Sequence, residues 1–147
     1  MAKDSLFFSE EQQQSIIEAI KKAEKQTSGE VKVHIEKKCP TTDVMERAKE
    51  VFLLLHLHET KENNGVLFYL AYEDRKFAVL GDKGINERVP ADFWVSTKDH
   101  LRSHFSKGQF TEGLCRGIEE AGSQLKTHFP YQSNDINELP DDISFGS

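Results

Sequence analysis

The sequence predicts a single α/β domain with a small mixed sheet: a β-α-β unit, then a β-hairpin, then two C-terminal helices. One segment alternates polar and apolar residues, which is typical of a half-buried strand. A second segment is an almost unbroken apolar run, as in a central strand covered on both faces. A third follows after a connection too short for a crossover, so it pairs with the second as an antiparallel hairpin. The 147 residues suffice for one hydrophobic core, and a second domain is not expected.

The first predicted helix covers about residues 10–26. Ser9 and Gln12 fit a capping box, and apolar residues recur at helical spacing after them. A Thr-Ser-Gly sequence at 27–29 ends this helix, because glycine is common just beyond a helix C-terminus. The alternating segment Glu30–Glu36 then forms the first strand.

The second predicted helix lies between the first two strands. Asp43 can cap its N-terminus, and the helix ends near His58. Residues 61–65 form a loop by composition, and the apolar run Val66–Tyr72 is the second strand. This order of elements makes the first two strands parallel, because a right-handed crossover helix joins them.

The third strand, Phe77–Leu80, completes the hairpin, and two helices follow it. Apolar residues at helical spacing mark these helices over about 94–105 and 110–125. The last helix contains three glycines, which are unfavourable inside a helix by roughly 1 kcal/mol each. We therefore predict that its backbone packs close to another element. The glycines are Gly113, Gly117 and Gly122.

Composition excludes several classes of partner. The formal net charge of -6 repels phosphate backbones and anionic lipid heads, and the basic residues are scattered along the sequence, so we predict no basic patch and no nucleic-acid partner. No apolar run reaches the roughly eighteen residues of a membrane span, so no membrane insertion is expected. The N-terminal segment 1–9 lacks the apolar core of a secretory signal, which predicts a cytoplasmic protein. Cys39 and Cys115 fit two reduced thiols.

Polar residues are predicted to converge at one end of the sheet. The first two strands begin there and the third strand ends there, because the third runs antiparallel to the others. The adjoining loops carry glycine and oxygen-bearing side chains, which are the ligands that Ca²⁺ and Mg²⁺ prefer. The alternative is that these residues are ordinary turn and strand-edge positions. The candidate metal ligands are Glu30, Asn64 and Asp82, with Asn86 and Asp92 close enough in sequence to join them.

Several short blocks resemble the TPM domain family, which is named for a thylakoid-lumen phosphatase, a photosystem-repair protein and a receptor-modulating protein. The blocks are Ser-Gly-Glu-Val at 28–31, Asn-Gly-Val-Leu at 64–67, Gly-Asp-Lys-Gly-Ile at 81–85, and residues 110–118. The resemblance covers residues 10–129. It leaves an acidic tail at 130–147 outside the domain.

The resemblance implies a three-layer α/β/α sandwich, divalent-cation binding in some members and acid phosphatase activity in others. The family's glycine pair corresponds to Gly81 and Gly84, and Asp92 matches an acidic position shortly beyond them. Two departures stand out. One more residue separates the glycines here, and Asn86 lies near the place where the family usually has Glu.

The leading functional prediction is a cation-binding regulatory or assembly module, with a protein as a possible partner. A metal-dependent acid phosphatase is the alternative. Neither cysteine has an arginine at the spacing of a cysteine phosphatase, and no phosphate-binding loop occurs. A hydrolase would therefore use metal held by Asp82 and Asp92, with Lys83 and Arg88 as the nearest cations.

Overall fold

The computed structural model of the chain describes residues 7–131 and 143–146. These residues form a four-stranded mixed sheet with helices on both faces. In chain order the elements are α1 (Glu10–Glu24), β1 (Glu30–Glu36), α2 (Val44–Leu54), a short 3₁₀ helix (Leu57–Glu59), β2 (Gly65–Ala71), β3 (Lys76–Gly81), α3 (Lys83–Arg88), α4 (Val95–Ser106), α5 (Phe110–Leu125) and β4 (Ile143–Phe145).

The sheet has the strand order β3-β2-β1-β4. β1 and β2 are parallel, β2 and β3 are antiparallel, and β4 is parallel to β1. The predicted β-α-β unit followed by a hairpin is thereby confirmed. None of the helices in the described ranges has the length and hydropathy of a membrane span.

The sheet separates two hydrophobic cores. One core packs α1, α4 and α5 against residues such as Val33 and Phe68, and the other packs α2 against Leu67 and Tyr69. Successive side chains of a strand point to opposite faces, so β2 contributes to both cores and is buried along its whole length. The predicted three-layer sandwich and central strand are confirmed.

β1 differs from the prediction of a half-buried strand, because all seven of its residues are buried. Its apolar residues face the first core, as the alternation predicts. Its polar residues lie on the face that α2 covers, and β4 pairs with the edge that would otherwise be open. The buried polar residues are Glu30, Lys32, His34 and Glu36.

The end of one helix and the turn after β3 also differ from the predictions. α2 ends at Leu54 rather than near His58, because His56 has a φ of 61°, a left-handed conformation that stops a helix. The turn predicted after β3 is instead the short helix α3, with Asp82 as its N-cap. A six-residue helix gives too little periodicity to be recognised in the sequence.

The C-terminal segment supplies an unpredicted strand. β4 pairs with β1 from Val33 to Ile35, and Ser144 Oγ lies 2.8 Å from Nδ1 of His34. Ile143 and Phe145 pack against the first core. Residues 132–142, which hold the acidic side chains of the predicted tail, lie outside the described residues, as do residues 1–6 of the N-terminal segment.

The close packing predicted for the glycines of α5 is confirmed. A Cβ atom at Gly113 would lie 2.9 Å from the Phe105 ring, and one at Gly117 would lie 2.9 Å from Leu101. Gly122 makes the same kind of approach to α1, where its Cβ would lie 2.7 Å from the Cα of Ala23. The small residues of α5 therefore allow α1 and α4 to pack on it closely.

Candidate functional site

The three loops predicted to converge meet through their backbones. The N–H of Glu30 donates to the carbonyl oxygen of Asn64 at 3.3 Å, and the N–H of Asp82 donates to that of Gly65 at 2.9 Å. β1 and β2 therefore begin side by side, next to the point where β3 ends. Glu30 and Asn64 are both buried.

Asp82 connects this end of the sheet to α3. Its Oδ1 accepts a hydrogen bond from the N–H of Lys83 at 2.8 Å. Its Oδ2 is buried and has no hydrogen-bond partner among the described residues. A buried carboxylate oxygen without a partner is costly, because it has lost water and gained no donor in exchange. A hydrogen-bond donor or a cation beside Oδ2 would therefore stabilise Asp82.

The loop before β2 packs directly against α3. A methyl group at Gly84 would overlap the carbonyl oxygens of Glu62 and Asn63, so glycine is needed for this approach. Ser28 Oγ donates to Oε2 of Glu62 at 2.9 Å, and Asn64 Nδ2 donates to Ser28 Oγ at 3.3 Å. These contacts bring the carboxylate of Glu62, which was not among the predicted ligands, to the same end of the sheet.

Asn86 and Asp92 are less closely tied to this site. Asn86 lies on α3, where its Nδ2 donates to the carbonyl oxygen of Gly81 at 3.3 Å. Asp92 is exposed, and its carbonyl oxygen accepts from the N–H of Val95 at 3.0 Å. In the described ranges no side-chain hydrogen bond or ion pair joins Asp92 to the other candidate ligands. The backbones of Glu30, Asn64, Asp82 and Asn86 thus lie at the same end of the sheet.

Within the described residues, no group of three or more His, Cys, Asp or Glu side chains is arranged to hold a metal ion. A cation at this end of the sheet would depend on Asp82, on the nearby carboxylate of Glu62, and on amide and carbonyl oxygens. Such oxygens are suitable ligands for Ca²⁺, but a small number of carboxylates gives low affinity.

A second polar cluster occupies the opposite end of β1. The guanidinium of Arg47 on α2 donates to both carboxylate oxygens of Glu36, at 2.8 and 2.9 Å. The hydroxyl of Tyr69 also donates to the Glu36 carboxylate, and His34 Nε2 lies 3.4 Å from Oε1 of Glu36. Burial alone raises the pKa of Glu36, but the hydrogen bonds from Arg47, His34 and Tyr69 outweigh burial and lower this pKa to about 2.

This Glu36 cluster lies where open α/β sheets commonly bind ligands, at the carboxyl ends of parallel strands. However, its charged groups are already paired with one another. A carboxylate with a pKa near 2 is a poor general base at neutral pH. Burial and the adjacent Glu36 raise the pKa of Tyr69, which keeps the phenol protonated. We conclude that the cluster joins α2 to β1 and β2 and has a structural role.

A mixed four-stranded sheet between two helical layers defines the class of protein as a small α/β sandwich domain. The chain matches the TPM domain family over residues 2–124 and therefore belongs to this family. The match includes both β1 and β2 and the loops that converge beside them.

Two solved structures are similar over almost the whole chain. The BA42 protein from the psychrophilic bacterium Bizionia argentinensis is 46% identical, with a TM-score of 0.91 over 99% of this chain and 100% of that one. The N-terminal domain of the cg2496 protein from Corynebacterium glutamicum is 12% identical, with a TM-score of 0.64 over 95% of this chain and 80% of that one, and so shows the fold alone. No curated protein matches significantly.

Proposed function

We propose that this TPM domain binds a divalent cation, Ca²⁺ or Mg²⁺, at the end of the sheet that carries Asp82, and that it acts as a regulatory or assembly module. The proposal rests on the buried Oδ2 of Asp82, which has no hydrogen-bond partner in the part of the chain that the structure describes. A cation bound there would compensate for the lost hydration of this oxygen. Asn64, the carboxylate of Glu62 and backbone carbonyl oxygens are the further ligands that we propose.

The proposed site is a weak one. Asp82 already uses Oδ1 to cap α3, so only one of its oxygens is available. Sites with few carboxylates and mixed amide and carbonyl ligands bind Ca²⁺ with dissociation constants on the order of 10⁻⁴–10⁻³ M. Such an affinity suits a protein that senses high cation concentrations. It also suits a cation site whose remaining ligands come from a partner protein.

Calcium titration followed by NMR tests this proposal. We expect the amide signals of residues 30, 63–65 and 81–86 to shift together with a single dissociation constant in the millimolar range. Asp82→Asn should weaken binding at least about tenfold, because it removes the ligand charge. Asparagine is as good an N-cap as aspartate, so this variant keeps α3 capped.

Asp43→Asn is the matched control. Asp43 caps α2, where its Oδ1 accepts from the N–H of Met45 at 3.0 Å, so the same substitution is made in the same structural role at a different place. We expect this variant to bind calcium as the unmodified protein does. Shifts confined to other residues, or equal affinity in Asp82→Asn and the unmodified protein, would refute the site.

The phosphatase alternative is less well supported. A phosphatase needs cations directed at the transferring phosphoryl group. The guanidinium of Arg88 lies 4.5 Å from the centre of the Phe129 ring and donates to the carbonyl oxygen of His128 at 3.3 Å, so it is engaged elsewhere. Hydrolysis of an aryl phosphate in the presence of Mg²⁺ that disappears in Asp82→Asn would favour the alternative. Hydrolysis that survives this change would remove Asp82 from any mechanism.

A further inference from the structure

A groove runs along the outer side of β3, between the first turn of α2 and the middle of α4. We call it the β3 groove. Met45 and Phe77 contribute apolar surface to it. β3 is the outermost strand on this side of the sheet, and none of the described residues pairs with its outer edge. An unpaired strand edge beside an apolar surface is suited to accept another strand.

Four cationic side chains line the β3 groove. Arg75 and Lys76 come from the β2–β3 hairpin, and Lys98 and Arg102 lie one turn apart on α4. The fold brings these cations together from distant parts of the chain, although their positions are scattered in the sequence. This local positive charge stands out in a chain of net charge -6.

Little negative charge offsets these cations. Arg102 Nη1 pairs with Oδ1 of Asp99 at 3.0 Å, but both side chains are exposed and such pairs contribute little. Lys76 Nζ donates to the carbonyl oxygen of Thr42 at 3.2 Å, which leaves its charge unneutralised. Within the described residues, no acidic side chain forms an ion pair with Arg75 or Lys98. The groove therefore presents positive charge to an incoming ligand.

We propose that the β3 groove binds an extended peptide of a partner protein in which acidic residues alternate with apolar ones. The peptide adds to the sheet beside β3 through backbone hydrogen bonds. Its acidic side chains lie on the face of α4, opposite Lys98 and Arg102, and its apolar side chains lie on the other face, beside Met45 of α2. A nucleic acid is disfavoured, because the rest of the chain is acidic and would repel a long polyanion.

A labelled peptide of alternating Glu and Val, roughly the length of a strand, is the probe for fluorescence anisotropy. We expect saturable binding that is weakened at least about tenfold when Gln replaces each Glu, since this removes the charge. N-methylation of alternate backbone amides should weaken binding by about the same factor, because it blocks pairing with β3. Equal binding of the N-methylated peptide would overturn strand addition.

Charge reversal on the protein tests the location. Lys98→Glu combined with Arg102→Glu should weaken peptide binding at least about tenfold. Lys21→Glu combined with Lys22→Glu changes the net charge equally on an exposed part of α1 and should have less than about a twofold effect. Circular dichroism verifies that both variants are folded. Equal losses in the two variants would show that net charge alone attracts the peptide.

Two further measurements separate this proposal from other possibilities. The amides of residues 76–80 should shift on peptide addition, and shifts confined to residues outside the β3 groove would refute the site. Oligothymidylate should bind more weakly than the peptide. If it binds more tightly and displaces the peptide, and if this binding depends on Lys98 and Arg102, the proposed class of partner is contradicted. Asp82→Asn should bind the peptide normally, so the cation proposal and the peptide proposal can fail independently.

Discussion

Glu36→Gln is expected to lower the free energy of unfolding by roughly 3 kcal/mol, measured by urea denaturation at neutral pH. The change preserves the shape of the side chain but leaves the Arg47 guanidinium without its carboxylate. Only 20% of the Arg47 side chain is exposed, so water compensates little of this loss. Removal of one partner from a buried pair is costly, and Glu50, the carboxylate that remains beside Arg47, is too exposed to replace it.

Glu50→Gln is the control for this prediction. Glu50 accepts from the same Arg47 at 3.3 Å, but its side chain is 56% exposed, so we expect a loss below about 0.5 kcal/mol. If Glu36→Gln is no more destabilising than Glu50→Gln, the Glu36 cluster does not hold the layers together.

The lowered pKa of Glu36 predicts how the free energy of unfolding depends on pH. The pKa of Glu36 is about 2 in the folded chain against a usual value of 4.5, so its contribution is fully present above about pH 4.5 and is lost as the pH falls towards 2. The stability difference between the unmodified protein and Glu36→Gln should therefore shrink by about 2 kcal/mol between roughly pH 6 and pH 3. A difference that stays constant over this range would contradict the lowered pKa.

Gly122→Ala should lower the free energy of unfolding by about 2 kcal/mol. The new methyl group would lie 2.7 Å from Cα and 2.8 Å from Cβ of Ala23, and neither atom can rotate away because both are fixed to α1. Alanine improves helix propensity by roughly 1 kcal/mol, which offsets part of the overpacking. The helices must therefore separate, and amide shifts along both α1 and α5 should accompany the loss of stability.

Ser123→Ala provides the comparison for Gly122→Ala. Ser123 is the next residue of α5 and is exposed, so alanine there gains helix propensity with no clash. We expect a neutral or slightly stabilising effect. Equal stability of the two alanine variants in urea would show that α1 and α5 can relax around the additional methyl group.

Several elements were predictable because contiguous residues encode them. The bounds of β1 agree with the alternating segment, and Gly29 marks its beginning. The hairpin followed from the length of its connection alone. In contrast, α3 has six residues and contains Gly84, so its sequence has the same local signals as a turn. β4 has three residues, too few for any periodicity.

The candidate site was predictable in outline but not in detail. The meeting of Glu30, Asn64 and Asp82 follows from strand direction, which the connections determine. The isolation of Asp82 Oδ2 depends on the side-chain contacts of the folded chain. Glu62 was missed because a carboxylate in a polar loop has no distinguishing pattern until Ser28 is placed beside it.

The sequence by itself determined the order of the four long helices and the first three strands, the directions of these strands, and the end of the sheet at which the loops with the candidate ligands meet. Tertiary structure alone decided that the polar face of β1 is buried, since alternation looks the same whether water or α2 covers that face. It also decided that Glu36 pairs with Arg47 and that four cations gather beside β3. Backbone preferences and short connections act locally along the chain, whereas burial and charge clustering depend on which distant element packs against a residue.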